Sequence, residues 1–213
     1  MIDSTERART AAGRLAAAAT IACGLVVLYI LRPAASPLAV PAELRTLAEP
    51  LVELVDLTTV LAATVALSVV AMIRRLPYGV AAVLIVSVGA NLTAALARNW
   101  VPDAPAALLP NGHVVAVTAL YGSALLVCAP RFRPVLAGLG FVAVVAVTAA
   151  AVTVETTSPA GALAAIAVSV FWWTVASALM QFSPVAAERE SLRPDTAAIA
   201  LSRSHSHSQS LPF

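Results

Sequence analysis

The sequence predicts an all-α, polytopic membrane bundle of six transmembrane helices with both termini cytoplasmic. Three observations carry that prediction. Of 213 residues, 60% are hydrophobic and only 11% are charged, and mean hydropathy is +0.90. A soluble fold of this size needs more polar surface than that composition supplies. The apolar residues fall into six runs near the length required to cross a hydrocarbon core, about 20 residues with a range of about 17–25. The arginines then concentrate on alternate connections, as they do where one side of a membrane retains positive charge.

Residues 1–14 form a cytoplasmic N-terminus with Arg7, Arg9 and Arg14, and 15–186 form the transmembrane domain. The first run, 15–31, follows those arginines as the core of a signal peptide would. Arg32-Pro33 comes directly after it without a clear Ala-x-Ala cleavage site, so it reads as a retained helix. The other spans are 54–73, 76–97, 114–129, 135–154 and 160–182, and Asp56 is the one charge inside these limits. The span at 114–129 is short, and the residues before it extend its first turn. Between the first two spans, residues 42–55 carry Leu44, Leu47, Leu51 and Leu54 at a spacing that suits a helix lying on the interface, interrupted by Pro50. Gly138 and Gly140 suit close helix contacts. Residues 187–213, with alternating serines, read as a disordered cytoplasmic tail.

Ten of the 13 basic residues lie on the N-terminus, the second and fourth connections and the tail; Arg32, Arg45 and Arg98 lie on the others. The segments 32–53, 98–113 and 155–159 are therefore expected to face outward. All 13 basic residues are arginine, and alanine and valine dominate the apolar runs, which suggests a high-GC bacterial genome and hence a bacterial plasma membrane. A net charge of +2 does not argue for nucleic acid as a partner. Cys23 and Cys128 read as buried, inert thiols at different depths. No metal or cofactor is expected; His205 and His207 in the tail would be weak ligands at most.

The stretch most suggestive of chemistry is Pro110-Asn111-Gly112-His113 at the outer end of the fourth span. His113 is the only histidine outside the last nine residues. Asn111 is a good helix N-cap, and a helix start beside a histidine and an arginine suits an anion. The same residues are equally compatible with a capped helix whose histidine touches interfacial water. Trp172-Trp173 fall mid-membrane and read as packing residues. Asp56 and Asn91 are the strongest candidates for polar groups at membrane depth.

Six helices with Pro-x-Gly-His opening the fourth resemble the PAP2 superfamily of membrane phosphatidic-acid-type phosphatases. The resemblance implies phosphate-binding cations after the third helix, a general-acid histidine at the start of the fourth, and a nucleophilic histidine between the fifth and sixth. On that pattern Pro110, Gly112 and His113 match the second motif, with Asn111 in place of serine and able to donate to a phosphate oxygen. In the first motif Val101 stands where arginine belongs and Ala94 where lysine belongs, leaving Arg98 as the cation nearby. In the third motif Thr157 replaces the nucleophilic histidine, Gly161 the aspartate, and Ala150-Ala151 the Ser-Arg pair.

A phospho-histidine route needs both a nucleophile and an acid, and cations around the transferring oxygens. The resemblance therefore implies a degenerate member that is non-catalytic, binds a lipid phosphate near His113, Arg98, Asn111 and Gly112, or assists an envelope enzyme as a membrane-protein partner. Two alternatives stand beside it. One is an active lipid-phosphate or polyprenyl-pyrophosphate phosphatase with a non-standard site, for instance through Glu155. The other is an unrelated six-helix transporter or membrane-complex subunit.

Overall fold

The structure, a computed structural model, describes residues 4–31, 41–76, 78–100, 108–154 and 157–181. The tail, Arg32, Val101, Glu155, His205 and His207 lie outside the described residues. The described residues are almost all helical, without a strand among them: α1 (Ser4–Leu31), α2 (Ala42–Glu53), α3 (Leu57–Ile73), α4 (Gly79–Trp100), α5 (Gly112–Val127), α6 (Arg133–Thr153) and α7 (Pro159–Gln181), with a 3₁₀ turn at Pro130–Phe132 leading into α6.

Four helices are long and apolar enough to cross a membrane: α1, α4, α6 with its leading turn, and α7. A fifth crossing is formed if α2 and α3, bent by 50° at the break between them, count as one broken span. At 16 residues α5 is shorter than these. With a rise of 1.5 Å per residue it covers about 24 Å, against a core of about 30 Å.

The centre of the bundle is α4, α5 and α7. On α4, Ala82, Val86, Ala90 and Ala94 recur every fourth residue and are all buried, meeting Val114, Val115 and Ala119 of α5 and Ala165, Val168 and Ala176 of α7. A stripe of small side chains brings helix backbones close, which is how helices associate where lipid removes the hydrophobic drive between them. Around this trio, α1 lies on α7, α3 on α4 and α5, and α6 on α5. Outward faces remain apolar: Ile30 on α1, Ile73 on α3 and Leu139 on α6 are each at least two-thirds exposed. Surfaces that apolar suit lipid rather than water.

Glycines make room for large side chains at the centre. A Cβ on Gly89 would stand 2.6 Å from the Trp172 ring, and one on Gly122 2.9 Å from the Trp173 ring. Trp172 also donates from Nε1 to Thr93 Oγ1 at 2.9 Å. Both tryptophans thus join helices, as their mid-membrane position suggested. Gly140 lies against Tyr121, whereas nothing approaches Gly138 within 4 Å, so one of the two glycines expected at a close contact is there.

Several expectations need correcting. The helix that carries the first expected span is longer than that span: α1 begins at Ser4, since its alanine- and arginine-rich start favours helix. Arg14 fastens this region by donating to the Ser177 carbonyl of α7 at 2.7 Å. α2 runs through Pro50 to Glu53 rather than breaking there, because the lost hydrogen bond falls in its last turn. It packs on α6 through Ala48 and Val52 against Ala150 and Val154, leaving the Leu44, Leu47, Leu51 and Leu54 stripe exposed. Cys23 is exposed on α1 rather than buried, and Cys128 is half-buried.

The α3–α4 turn is tight and capped. Arg75 takes a left-handed backbone at φ 51°, with its N–H donating to Met72 O and that of Leu76 to Ala71 O. This is a Schellman end with arginine at the position that favours glycine. The Arg74 guanidinium reaches across to the carbonyl of Val127, the last residue of α5.

If Trp172 and Trp173 need the room above Gly89 and Gly122, Gly89→Ala and Gly122→Ala should each destabilise the detergent-solubilised protein by about 1–3 kcal/mol. Gly138→Ala, inside α6 with nothing within 4 Å of the new methyl, should instead raise the melting temperature slightly, since alanine favours helix by about 0.5–1 kcal/mol; thermal unfolding followed by circular dichroism is the check.

Candidate functional site

The start of α5 shows how the site is built. Asn111 has extended backbone and is 7% exposed; its Oδ1 accepts from the backbone N–H groups of His113 at 3.0 Å and Val114 at 3.3 Å. A helix has four N–H groups at its start with no partner in the helix, and Asn111 satisfies two of them. Gly112 and His113 therefore form the first turn of α5, as expected. Arg98, in the last turn of α4, donates from Nη2 to the Pro110 carbonyl at 3.0 Å. Its guanidinium lies so close over the helix start that a Cβ on Gly112 would stand 3.3 Å from Nη2.

Beside this junction is a cavity of about 990 Å³ between α3, α4 and α5. Arg98, Asn111, Gly112 and His113 all line it. So do Asp56 and Asn91, which the sequence reading weighed separately from the motif. Asp56 caps α3, its carboxylate accepting from the Thr59 N–H at 2.7 Å. Asn91 lies seven residues before Arg98, about 10 Å further along α4, and donates from Nδ2 to the Ser87 carbonyl at 2.8 Å. The innermost polar group on this wall, Ser87, is within 3.5 Å of the buried Ser123 hydroxyl. Leu57 and Leu61 of α3 and Val88 and Leu92 of α4 line the same cavity and are more than half exposed, so it opens sideways between those helices.

His113 is half-buried, ahead of the apolar segment that begins at Val114. Burial, and secondarily the Arg98 guanidinium, lower its pKa below the ordinary value, which favours the neutral ring. One ring nitrogen of a neutral histidine donates and the other accepts. Arg98 has five N–H donors, of which the Pro110 carbonyl engages Nη2. The junction thus combines a fixed positive charge, a neutral imidazole and the positive end of a helix dipole, an arrangement that favours an anion.

The third-motif positions lie elsewhere. Thr157 is buried, 4% exposed, and donates to the Ser158 carbonyl; it does not line the cavity. Gly161 is in the first turn of α7, with its N–H donating to Ser158 Oγ at 3.1 Å. Ser158-Pro159 is a helix-start pair, a capping hydroxyl followed by proline at the first helical position, a signal legible in the sequence itself. Ala151 packs in the central core. A second cavity, about 880 Å³ between α5, α6 and α7, has no charged side chain in its lining.

No protein-family model, curated protein or solved structure matches this chain.

Two outcomes follow from this geometry. Asn111→Ala should cost about 0.5–2 kcal/mol of stability and Asn111→Ser much less, because serine still caps; denaturant melts would show the difference. By nuclear magnetic resonance His113 should titrate below the ordinary value of about 6.5, and Arg98→Gln should move it upward. Because the folded value is depressed, the unfolded state takes up this proton first. Stability should therefore fall as pH drops from the unfolded value towards the folded one, and be unaffected by this group above that window.

Proposed function

We propose that this chain is a multi-pass protein of the bacterial plasma membrane that holds the phosphate-bearing headgroup of a lipid at its outer face without hydrolysing it. In this reading α1, α3, α4, α5, α6 and α7 are the six spans of a PAP2-like bundle, with α5 allowed to be short because it is enclosed by the others. The observation that carries the reading is the junction of Arg98 and His113 at one end of a cavity whose side is apolar and open between α3 and α4. An amphiphile matches that division, with its phosphate at the guanidinium and a chain along Leu61 and Leu92.

The absence of catalysis is supported by the chemistry of the lining. Among the described residues that line the cavity, Arg98 is the sole arginine and His113 the sole histidine. Phosphoryl transfer by a histidine needs a second group to protonate the leaving oxygen and cations to hold the others. Thr157, where the family's nucleophile belongs, is engaged with Ser158 instead. A second reading, a small transporter, draws on Asn91, whose amide lines the cavity below Arg98.

The test uses the purified full chain with phosphatidic acid and undecaprenyl pyrophosphate. Binding of both without phosphate release is expected, with affinity falling about ten- to hundredfold in Arg98→Ala, since a charged hydrogen bond contributes about 1.5–3 kcal/mol. Turnover that His113→Ala abolishes would establish the enzyme instead. Solute flux into liposomes lost in Asn91→Ala would favour the transporter.

A further inference from the structure

We propose that Asp56 makes this cavity selective for a zwitterionic lipid headgroup, one that carries a primary ammonium as well as the phosphate; this rests on the lipid-binding reading above. The cavity bears two opposite charges on different helices, Arg98 near the end of α4 and Asp56 at the start of α3. Among the described residues no ion pair joins them. Aspartate is ionised at neutral pH, so Asp56 and Arg98 give the lining a negative and a positive charge held apart.

A purely anionic headgroup would leave the Asp56 carboxylate facing like charge. A headgroup that carries an ammonium as well as a phosphate offers an opposite charge to each. Thr58 and Thr59 hydrogen-bond to Asp56 and hold its carboxyl below the ordinary carboxylate range, so its charge, at the exposed start of α3, is what an ammonium would meet. Complementary charge of this kind sets which partner is preferred more than how tightly it is held. The sideways opening between α3 and α4 lets such a lipid enter with its chains in the bilayer.

The experiment is native mass spectrometry of the full chain in detergent, titrated separately with phosphatidylethanolamine and phosphatidylglycerol of identical chains. Wild type should prefer the ethanolamine lipid about two- to fivefold, the range of an exposed ion pair. Asp56→Asn, which keeps a good N-cap, should abolish the preference, lowering phosphatidylethanolamine binding and raising that of phosphatidylglycerol. Asp56→Ser, a second uncharged cap, should behave alike and guards against a fault peculiar to asparagine. Equal or better binding of phosphatidylglycerol by wild type, or a preference that survives both substitutions, would overturn the proposal. If Arg98→Ala leaves both lipids bound as before, it is the underlying lipid-phosphate reading that fails.

Discussion

A helix that starts and ends inside an apolar bundle must find partners for the backbone groups at its own ends, and α5 is that helix. It is shorter than the four it packs among, α3, α4, α6 and α7. A buried N–H or carbonyl left without a partner costs about 1–3 kcal/mol, and Asn111 and Val127 at the two ends of α5 are both buried. Asn111 closes the start from within the chain. Two arginines from neighbouring helices add to this: Arg98 of α4 on the Pro110 carbonyl just before the helix, and Arg74, after α3, on the Val127 carbonyl at its end. Both ends of the central helix are thus tied to the α3–α4 hairpin.

That constraint also makes the cavity. Because Arg98 is drawn to Pro110, a guanidinium is fixed over the start of α5 rather than extended into water, and His113 is brought beside it. Because α3 is tied to the far end of α5 by Arg74, its starting end and Asp56 form the opposite wall. The polar groups of the cavity are therefore products of how α5 is anchored, and its apolar side is the lipid-facing surface of α3 and α4. The same arginine serves structure and charge, so a ligand phosphate would meet a guanidinium already oriented, with little further entropy to lose.

Much of the helix layout was legible in the sequence, since apolar runs of this length have few other readings. The N-cap at Asn111 was also legible, being a local signal. Residue contacts between helices were not. Asp56, Asn91 and Arg98 are far apart in the chain, and only the packing of α3 on α4 and α5 brings them to one cavity. Arginines read as markers of membrane orientation turn out to bind carbonyls at helix ends, a role that charge counts cannot reveal. The glycines beneath Trp172 and Trp173 were missed for a similar reason: a glycine's value there lies in what faces it. Ser158 was hidden by the family pattern, which drew attention to Thr157 beside it.

The central claim is that Arg98 presents its guanidinium to a lipid phosphate within the cavity. Solid-state recoupling between ³¹P of the lipid and ¹⁵N of the arginine guanidinium groups, with the full chain in bilayers, reads that contact directly. The account predicts a direct-contact phosphorus–nitrogen signal in wild type that disappears in Arg98→Gln. A signal that persists unchanged after that substitution, or none in wild type, would contradict it.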